Sequence, residues 1–376
     1  MRAIFYPLPM NCAHLRRLSA FAVGVVLASA RHARSCDVFT AATATLLAGS
    51  VVAHSSLGAE VRIAGAAYLG DLPTHVAERR GLFADEGLQA NVHYSESGKQ
   101  NLARLRADET DFALMALTPL VLDRLADSDP GQAGDPVILA SLLQSSELTA
   151  VLARPGAGME RPGDLAGRRI GFERGTNTEF VWWLFEQVHR IDRDSVDIVP
   201  LSFANTAAAV FSKRVDAVVL PEPWASRLQA RHQRVEGRPI QRFHTRNLYA
   251  GRWVIVTTRR FVREHAEACR NVLAAYHRAS EWIERSPNEA ISIYADSIDT
   301  SRSLLTERWQ ALDYDINLDW ALVSSLLEQF RWARASRFAE ADEQPGVLEL
   351  IDPGPLSELV PASVKIPGAA TGELVR

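Results

Sequence analysis

The segment Leu201–Trp224 constrains the fold more than any other part of the chain. It contains the end of one strand, a short alanine-rich helix, a tight turn and then the apolar run Val215–Leu220. A valine-rich run of this length is typical of a strand that is covered on both faces. Glu222 and Trp224 follow at the carboxyl end of that strand, where open α/β sheets bind their ligands. The segment therefore predicts an α/β sheet with a polar and aromatic ligand edge.

The same succession of helix, acidic turn and strand occurs earlier, over Leu102–Met115, and a new helix begins from Ala116. Two such units indicate two similar lobes that face one cleft. A hinged binding protein needs this duplication, whereas a single-domain enzyme does not. Strands and helices alternate from Val61 onward, which favours a largely parallel sheet, and the pattern becomes helical after Arg260.

The composition is that of an ordinary globular protein, and 376 residues are enough for two lobes. A net charge of −4 gives no basis for nucleic-acid binding, and the arginine pairs lack interleaved aromatic residues. Cys12 and Cys36 lie near the amino terminus, which leaves Cys269 alone on an apolar helical stripe. We expect Cys269 to be a core residue and the protein to have no internal disulfide.

Residues 1–59 have the composition of a targeting region. Two apolar runs, Leu18–Ala30 and Val38–Ala53, each follow a pair of arginines or a similar basic stretch. Each run is shorter than the ~20 residues that a membrane-spanning helix needs, and each fits the core of a signal peptide. The sequence therefore predicts export to the periplasm with cleavage near Ala59. A retained membrane anchor and a downstream translation start are the alternatives.

The chain lacks the familiar catalytic motifs, since it has no G-x-S-x-G, no H-E-x-x-H and no P-loop lysine. His75 and Glu78 have the spacing of one helical face, but two residues without further partners are a poor metal site. We therefore expect no enzymatic activity, no cofactor and no metal.

The candidate ligand contacts follow the predicted strands. Gly175–Thr178 begins a helix whose free N–H groups suit a sulfonate, phosphate or carboxylate, although a plain helix cap is the alternative. Gly98 permits close backbone approach at a second helix start, beside Ser97 and Lys99, and the alternative there is a solvated loop. Glu222 either accepts a hydrogen bond from the ligand or caps the following helix. The predicted set is Tyr68, Ser97, Gly98, Met115, Ala116, Gln144, Gly175, Thr176, Asn177, Thr178 and Glu222.

Four segments resemble the signatures of one protein family, the SsuA/THI5-like substrate-binding proteins of alkanesulfonate, nitrate, taurine and thiamine-precursor ABC importers. Val76–Leu88 is similar to the family pattern VA-x-x-x-G-x-F-x-x-x-GL, and Asp111–Met115 is similar to its third strand. Asp164–Gly171 resembles the family's entry to the second lobe, and Val215–Trp224 resembles its segment ending in EPW. The four matches occur in the family's order.

The resemblance implies a periplasmic-binding-protein-like type II fold, with two α/β lobes joined by two crossover strands. It places the predicted contact residues around the cleft. The expected limits are a targeting region at 1–59, the first lobe at 60–146, the second lobe at 147–250, a helical return to the first lobe at 251–340 and an irregular tail at 341–376.

The resemblance also implies a function. We expect a monomer that binds a small anionic or heteroaromatic solute, such as a sulfonate, nitrate or a pyrimidine-like molecule. The expected partner is an ABC permease in the inner membrane. An enzyme of pyrimidine-precursor biosynthesis on the same scaffold is one alternative, although the cysteine-rich motif of the yeast-type synthase is absent. A membrane-tethered sensory domain is the other.

Overall fold

The computed structural model describes residues 58–126, 132, 134–156, 158–246, 248–336, 338 and 346–366. The chain divides into two units, 1–54 and 55–376, and every described residue lies in the second. Residues 1–57, which make up nearly all of the predicted targeting region, therefore lie outside the described residues. In the described ranges, no helix combines the length and the apolar character that a membrane span requires.

The strands of the described residues form two five-stranded sheets. In chain order the strands are β1 Ala59–Ala66, β2 Leu88–Ser95, β3 Phe112–Ala116, β4 Pro136–Ser145, β5 Thr149–Ala153, β6 Arg169–Phe172, β7 Asp197–Pro200, β8 Ala217–Pro221, β9 Gln241–His244 and β10 Gly251–Thr258.

The helices of the described residues cover the faces of these sheets. They are α1 Leu72–Arg79, α2 Leu82–Asp85, α3 Gly98–Arg106, α4 Leu117–Ala126, α5 Asn177–His189, α6 Phe203–Phe211, α7 Trp224–Glu236, α8 Arg259–Glu264, α9 Ala266–Arg285, α10 Pro287–Ser297, α11 Arg302–Thr306, α12 Trp320–Ala335 and α13 Gly354–Leu359.

The first sheet has the strand order β2-β1-β3-β10-β4, and we call this sheet with its helices the first lobe. Strand β1 pairs in parallel with β2 and β3, but β10 runs antiparallel to both β3 and β4. The sheet is therefore less uniformly parallel than the alternating sequence pattern suggests. The reason is topological, because β10 enters this sheet from the other lobe and not through a helical crossover.

The second sheet has the order β7-β6-β8-β5-β9, and with its helices it forms the second lobe. Strand β6 is parallel to β7 and β8, whereas β5 is antiparallel to β8 and β9. The chain leaves the first sheet after Ser145 and enters the second at Thr149. It returns between His244 and Gly251, so two short connections join the lobes. The residue limits given above for the domains stay a prediction.

Each lobe has its own apolar core. In the first lobe, α9 buries one stripe that includes Cys269, Val272, Tyr276 and Ile283, none of which is more than 1% exposed. Burial raises the pKa of the Cys269 thiol to about 12, so this residue is a core hydrophobe as predicted. In the second lobe, a separate cluster of buried apolar side chains packs on each face of the sheet.

The carboxyl-terminal segment differs from the irregular tail that the sequence indicates. Residues 346–366 include α13 and pack on the first lobe. Ile351 bridges to Ile138 on β4, Val364 bridges to Leu318, and Leu356 is fully buried. Short turns bounded by proline are too brief to show a helical period, which is why the sequence pattern missed them.

Candidate ligand-binding cleft

A cavity with about 460 Å³ of empty space lies between the two lobes, at the carboxyl ends of the parallel strands. Four helices begin at the cavity wall: α3 of the first lobe and α5, α6 and α7 of the second. In each of them the first turn, or the residue just before it, lines the cavity. The amino terminus of a helix carries a partial positive charge and free N–H groups. This convergence favours a ligand with an anionic or hydrogen-bond-accepting end.

Aromatic side chains form part of the cavity wall on each lobe, and we call each pair an aromatic wall. On the first lobe, Tyr68 follows β1 and its ring lies 4.5 Å from that of Trp253 on β10, measured between centroids. On the second lobe, Phe203 and Trp224 stand 6.4 Å apart at the starts of α6 and α7. The rings are tilted by 47° in the first pair and by 39° in the second, and the two pairs offer aromatic contacts to a planar molecule between the lobes.

Polar contacts cross the cleft at the start of α3. Lys99 lines the cavity, and its Nζ donates a hydrogen bond of 3.1 Å to the carbonyl oxygen of Arg174 on the other lobe. Ser97 Oγ donates to Glu173 Oε1 over 2.9 Å. Burial raises the pKa of Glu173. Among the described residues that line the cavity, Lys99 supplies the cationic side chain and Glu96 the acidic one.

The threonines at the start of α5 line the cavity but use their hydroxyls within the turn. Thr176 Oγ1 donates to the carbonyl oxygen of Glu173 over 2.8 Å, and Thr178 Oγ1 does so over 3.2 Å. Thr176 Oγ1 also accepts from the Thr178 N–H, and Glu179 accepts from the Gly175 N–H. The helix-cap interpretation of this segment is therefore realised in the structure.

Two buried oxygens beside these threonines have no hydrogen-bond partner within the described structure. They are Asn177 Oδ1 and Thr149 Oγ1, and both residues line the cavity. A buried oxygen without a donor is costly, so such atoms mark positions where a bound molecule can donate N–H or O–H groups. The cavity thus offers both a cationic side chain and buried oxygens that can accept hydrogen bonds.

The structure brings most of the predicted contact residues to the cavity wall. Those that line it are Tyr68, Ser97, Gly98, Ala116, Thr176, Asn177 and Thr178, and those that do not are Met115, Gln144, Gly175 and Glu222. Whether any of them touches a ligand stays a prediction.

The residues that do not line the cavity have clear structural roles. Met115 alternates with Ala116 along β3, points into the core and is fully buried. It packs so closely on Gly98 that a Cβ there would lie 2.5 Å from the Met115 Cβ. Gly175 has a φ of 75° in the turn before α5. Gln144 Oε1 accepts from Arg252 Nη2 over 2.6 Å.

Glu222 is 1% exposed and both of its oxygens are occupied by protein groups. Oε1 accepts from Arg242 Nη2 over 2.9 Å, and Oε2 accepts from the Ser226 N–H over 3.1 Å. The carboxylate therefore caps the start of α7 and pairs with β9, which corresponds to the alternative that the sequence left open. The Arg242 partner lies twenty residues further along the chain and has no motif that reveals it.

The sequence motifs did not identify Trp253, Phe203 or Thr149 as parts of the wall. Trp253 lies within a buried strand that reads as ordinary core, and Phe203 begins a helix in an otherwise apolar segment. The return of β10 between β3 and β4 brings Trp253 to Tyr68, and only the topology shows this. Across the described residues, no group of His, Cys, Asp and Glu side chains has a metal-binding arrangement.

The chain is similar in sequence to known families of binding proteins. A family model described as NMT1/THI5 like matches residues 71–290. The putative binding protein YtlA of Bacillus subtilis is 24% identical over 215 residues, which cover 56% of this chain and 62% of that protein. The formylaminopyrimidine-binding protein of Halalkalibacterium halodurans is 23% identical over 252 residues, which cover 65% of this chain and 72% of that protein. The match thus spans less than two thirds of YtlA.

Solved structures share the fold at low identity. The alkanesulfonate-binding protein SsuA of Xanthomonas axonopodis pv. citri, bound to MOPS, is similar with a TM-score of 0.67 and 16% identity, covering 79% of this chain and 99% of that chain. The periplasmic aliphatic sulphonate binding protein SsuA of Escherichia coli is similar with a TM-score of 0.62 and 13% identity. The match covers 75% of this chain and 94% of that chain. The desulfurization enzyme DSZB is similar with a TM-score of 0.59 and 16% identity. The match covers 81% of this chain and 99% of that chain. These likenesses confirm the predicted periplasmic-binding-protein fold.

Proposed function

Because the chain belongs to the NMT1/THI5-like family, we propose that it is an extracytoplasmic solute-binding protein that delivers a small planar solute to an ABC importer. The family and the fold together support a solute-binding role. Closure of the two lobes around the solute would signal occupancy to the permease in the inner membrane. A ligand drives such closure only through contacts that are better in the closed state.

The observation that carries the choice of solute is the pair of aromatic walls. Tyr68 with Trp253 and Phe203 with Trp224 face the cavity from opposite lobes, and a heteroaromatic ring between them contacts both when the cleft is closed. Stacking of a nucleobase-like ring on an aromatic side chain contributes about 1–3 kcal/mol. A pyrimidine-like molecule therefore fits this cleft better than nitrate or a short alkanesulfonate does.

The polar groups indicate the substituents of that ring. Lys99 and the helix starts favour an anionic or accepting group on the ligand. Asn177 Oδ1 and Thr149 Oγ1 favour amine or ring N–H groups on the same ligand. The formylaminopyrimidine named for the Halalkalibacterium relative combines an accepting formyl oxygen with N–H donors, so we take it as the first probe.

The export and partner assignments belong to the same proposal. Two signal-peptide-like runs precede the described residues, which supports a periplasmic location. A permease in the inner membrane and a monomeric state remain the expected partner and assembly, and no nucleic acid is expected. Retention of the amino-terminal runs would instead favour the membrane-tethered sensory alternative.

An enzyme is the second candidate function, because DSZB shares this fold. Such chemistry needs a nucleophile or base at the cavity wall. The described lining residues include no Cys or His, and Cys269 lies in the core of the first lobe. Ser97 and Lys99 do line the cavity, but both are engaged in hydrogen bonds across the cleft, to Glu173 and to the Arg174 carbonyl oxygen. We therefore favour binding without turnover over an enzyme.

The test is binding of formylaminopyrimidine, MOPS, taurine and nitrate, measured by thermal shift and then calorimetry. We expect formylaminopyrimidine to bind most tightly and Trp224→Ala to weaken it by about 1–3 kcal/mol through lost stacking. Trp320→Ala is the matched control, because Trp320 is 56% exposed and does not line the cavity. Equal affinities for the Trp224 and Trp320 variants would refute the stacked arrangement.

A further inference from the structure

A buried carboxylate lies directly behind the aromatic wall of the first lobe. Asp71 is 0% exposed, between the loop after β1 and the start of α1. Its Oδ2 accepts from the Ala66 N–H over 2.6 Å, and its Oδ1 accepts from Thr74 Oγ1 over 2.5 Å. Oδ1 also accepts from the Trp253 indole Nε1–H over 3.3 Å. Ala66 and Trp253 both line the cleft, whereas Asp71 itself does not.

The surroundings of Asp71 provide no counter-charge. Within the part of the chain that the structure describes, Asp71 forms no ion pair with Arg or Lys, and its three donors are neutral groups. The titratable groups that face it from the neighbouring elements are acidic, phenolic or a buried imidazole: Glu78, Tyr94, Tyr276, Tyr294, Tyr314 and His75. Burial lowers the pKa of His75 to about 4, so it carries no compensating charge at neutral pH.

A buried, uncompensated carboxylate is expensive, so its charge is easily neutralised by a proton. Burial accordingly raises the pKa of Asp71 to about 7. The proton has one suitable acceptor nearby, which is Thr74 Oγ1. With the proton on Oδ1, the Thr74 hydroxyl turns to Tyr276, whose OH lies 2.9 Å away. Oδ1 is then a weaker acceptor for the Trp253 indole, while the Ala66 bond to Oδ2 is retained.

We propose that Asp71 is a positioning residue that fixes the Trp253 wall of the cleft when ionised and releases it when protonated. The consequence for binding rests on the proposed function, because Trp253 is one half of the wall on which a planar solute stacks. Ligand affinity is then full above pH 8 and falls as the pH drops through about 7. The sign follows because a state that needs the ionised carboxylate is disfavoured by protons.

The first experiment needs no ligand. The fluorescence of Trp253 is isolated as the difference between wild type and Trp253→Phe, measured from pH 5 to pH 9. We expect this difference to titrate with a midpoint near 7 and to be flat in Asp71→Asn. Thr74→Val removes the hydrogen bond to the ionised form and the weaker one that the protonated form would donate. Because the charge-assisted bond is the stronger of the two, the midpoint should lie higher, by roughly one pH unit. A flat wild-type difference, or a midpoint that Thr74→Val leaves unchanged, overturns the proposal.

Glu186→Gln is the matched control. Burial raises the pKa of Glu186 to about 7 as well, but this residue is on α5 in the other lobe, one helical turn from Trp182. The Trp253 titration should therefore persist unchanged in Glu186→Gln, and its loss there would overturn the assignment to Asp71. If Asp71→Asn does not fold, the direction of the Thr74→Val shift decides.

The second experiment measures binding of formylaminopyrimidine by calorimetry at pH 6, 7 and 8. Wild type should bind about tenfold more weakly at pH 6 than at pH 8. Thr74→Val should bind about fivefold more weakly than wild type at pH 7 and equally well at pH 9, and comparison at one pH cancels the ionisation of the ligand itself. If the probe does not bind wild type at any pH, the proposed solute is wrong, and the fluorescence result alone decides the role of Asp71.

Discussion

At the scale of single residues, buried charges in this protein differ in what neutralises them. Glu222 meets Arg242 and a helix start, whereas Asp71 meets neutral donors only. The pKa of Asp71 is raised by its burial. The same kind of side chain thus forms an ion pair in one place and is held by neutral donors in the other. The difference depends on the groups that hydrogen-bond to each carboxylate, and some of these, such as Arg242 and Trp253, are distant in sequence.

Glu222→Gln tests the structural role of Glu222. The amide oxygen can still accept a hydrogen bond from Arg242, but it carries no charge to balance the guanidinium, which is only 9% exposed. We expect the free energy of unfolding to fall by about 3 kcal/mol, as for other broken buried pairs. Urea denaturation measures this loss.

The affinity of folded Glu222→Gln for formylaminopyrimidine should fall by less than about fivefold, since Glu222 does not line the cavity and loses only its contact with Arg308 across the lobes. Trp224→Ala, two residues away, is the matched comparison with the opposite profile. Normal stability with lost affinity in Glu222→Gln would restore the role as a ligand contact.

The sequence located the cleft but could not assign every side chain in it. Strand ends and helix starts are local features, so Ser97, Gly98 and Thr176 could be placed from their neighbours alone. The choice between Met115 and Ala116 depends on which face of β3 points to the core, and a continuous apolar strand does not show that. Trp253 required knowledge of where β10 inserts.

At the scale of elements, helix starts serve both the fold and the cleft. The α5 start illustrates this, because its threonine hydroxyls close the turn after β6 while the same residues form cavity wall. Regular strands and helices were predictable, since each shows a clear period or apolar run. The antiparallel β10 was not, because strand direction depends on the path of the chain between the lobes.

Thr176→Ala removes the side-chain cap of α5 and its bond to the carbonyl of Glu173. We expect a loss of about 1 kcal/mol in the free energy of unfolding, which is typical for a helix cap. Thr176→Ser keeps the hydroxyl and serves as the control, with stability close to that of wild type. Thermal or urea unfolding of the two variants side by side gives the measurement, and equal stabilities would show that the cap contributes nothing.

At the scale of the whole molecule, polar side chains join the two lobes beside the connections between them. Arg308 packs on the first lobe beside Leu305, and its guanidinium lies 3.7 Å from Glu222 and 3.8 Å from Glu147. Arg227 on α7 donates to the Ile298 carbonyl oxygen and to Thr300 Oγ1. The Arg308–Glu222 and Arg227 contacts join residues of different lobes and so favour the closed arrangement, whereas Glu147 lies in the connection between the lobes.

Arg308→Gln should therefore shift the lobes toward an open arrangement, by about 1 kcal/mol as for a partly exposed ion pair. Small-angle scattering of the ligand-free protein should show a larger radius of gyration. Arg302→Gln is the control on the same segment, where the side chain is exposed. A scattering curve for Arg308→Gln that matches those of wild type and the control would contradict this role.

The path of the chain has a mechanical consequence. The second lobe is one uninterrupted insertion between β4 and β10, and the first and last described residues, Gly58 and Ile366, both belong to the first lobe's side of the molecule. A pull or a tether applied at either end of the described chain is therefore carried by the first sheet alone. Only two short connections join the second lobe to the first. Attaching either end of the described chain to a bead, a surface or a bilayer therefore leaves the second lobe free to rotate relative to the first.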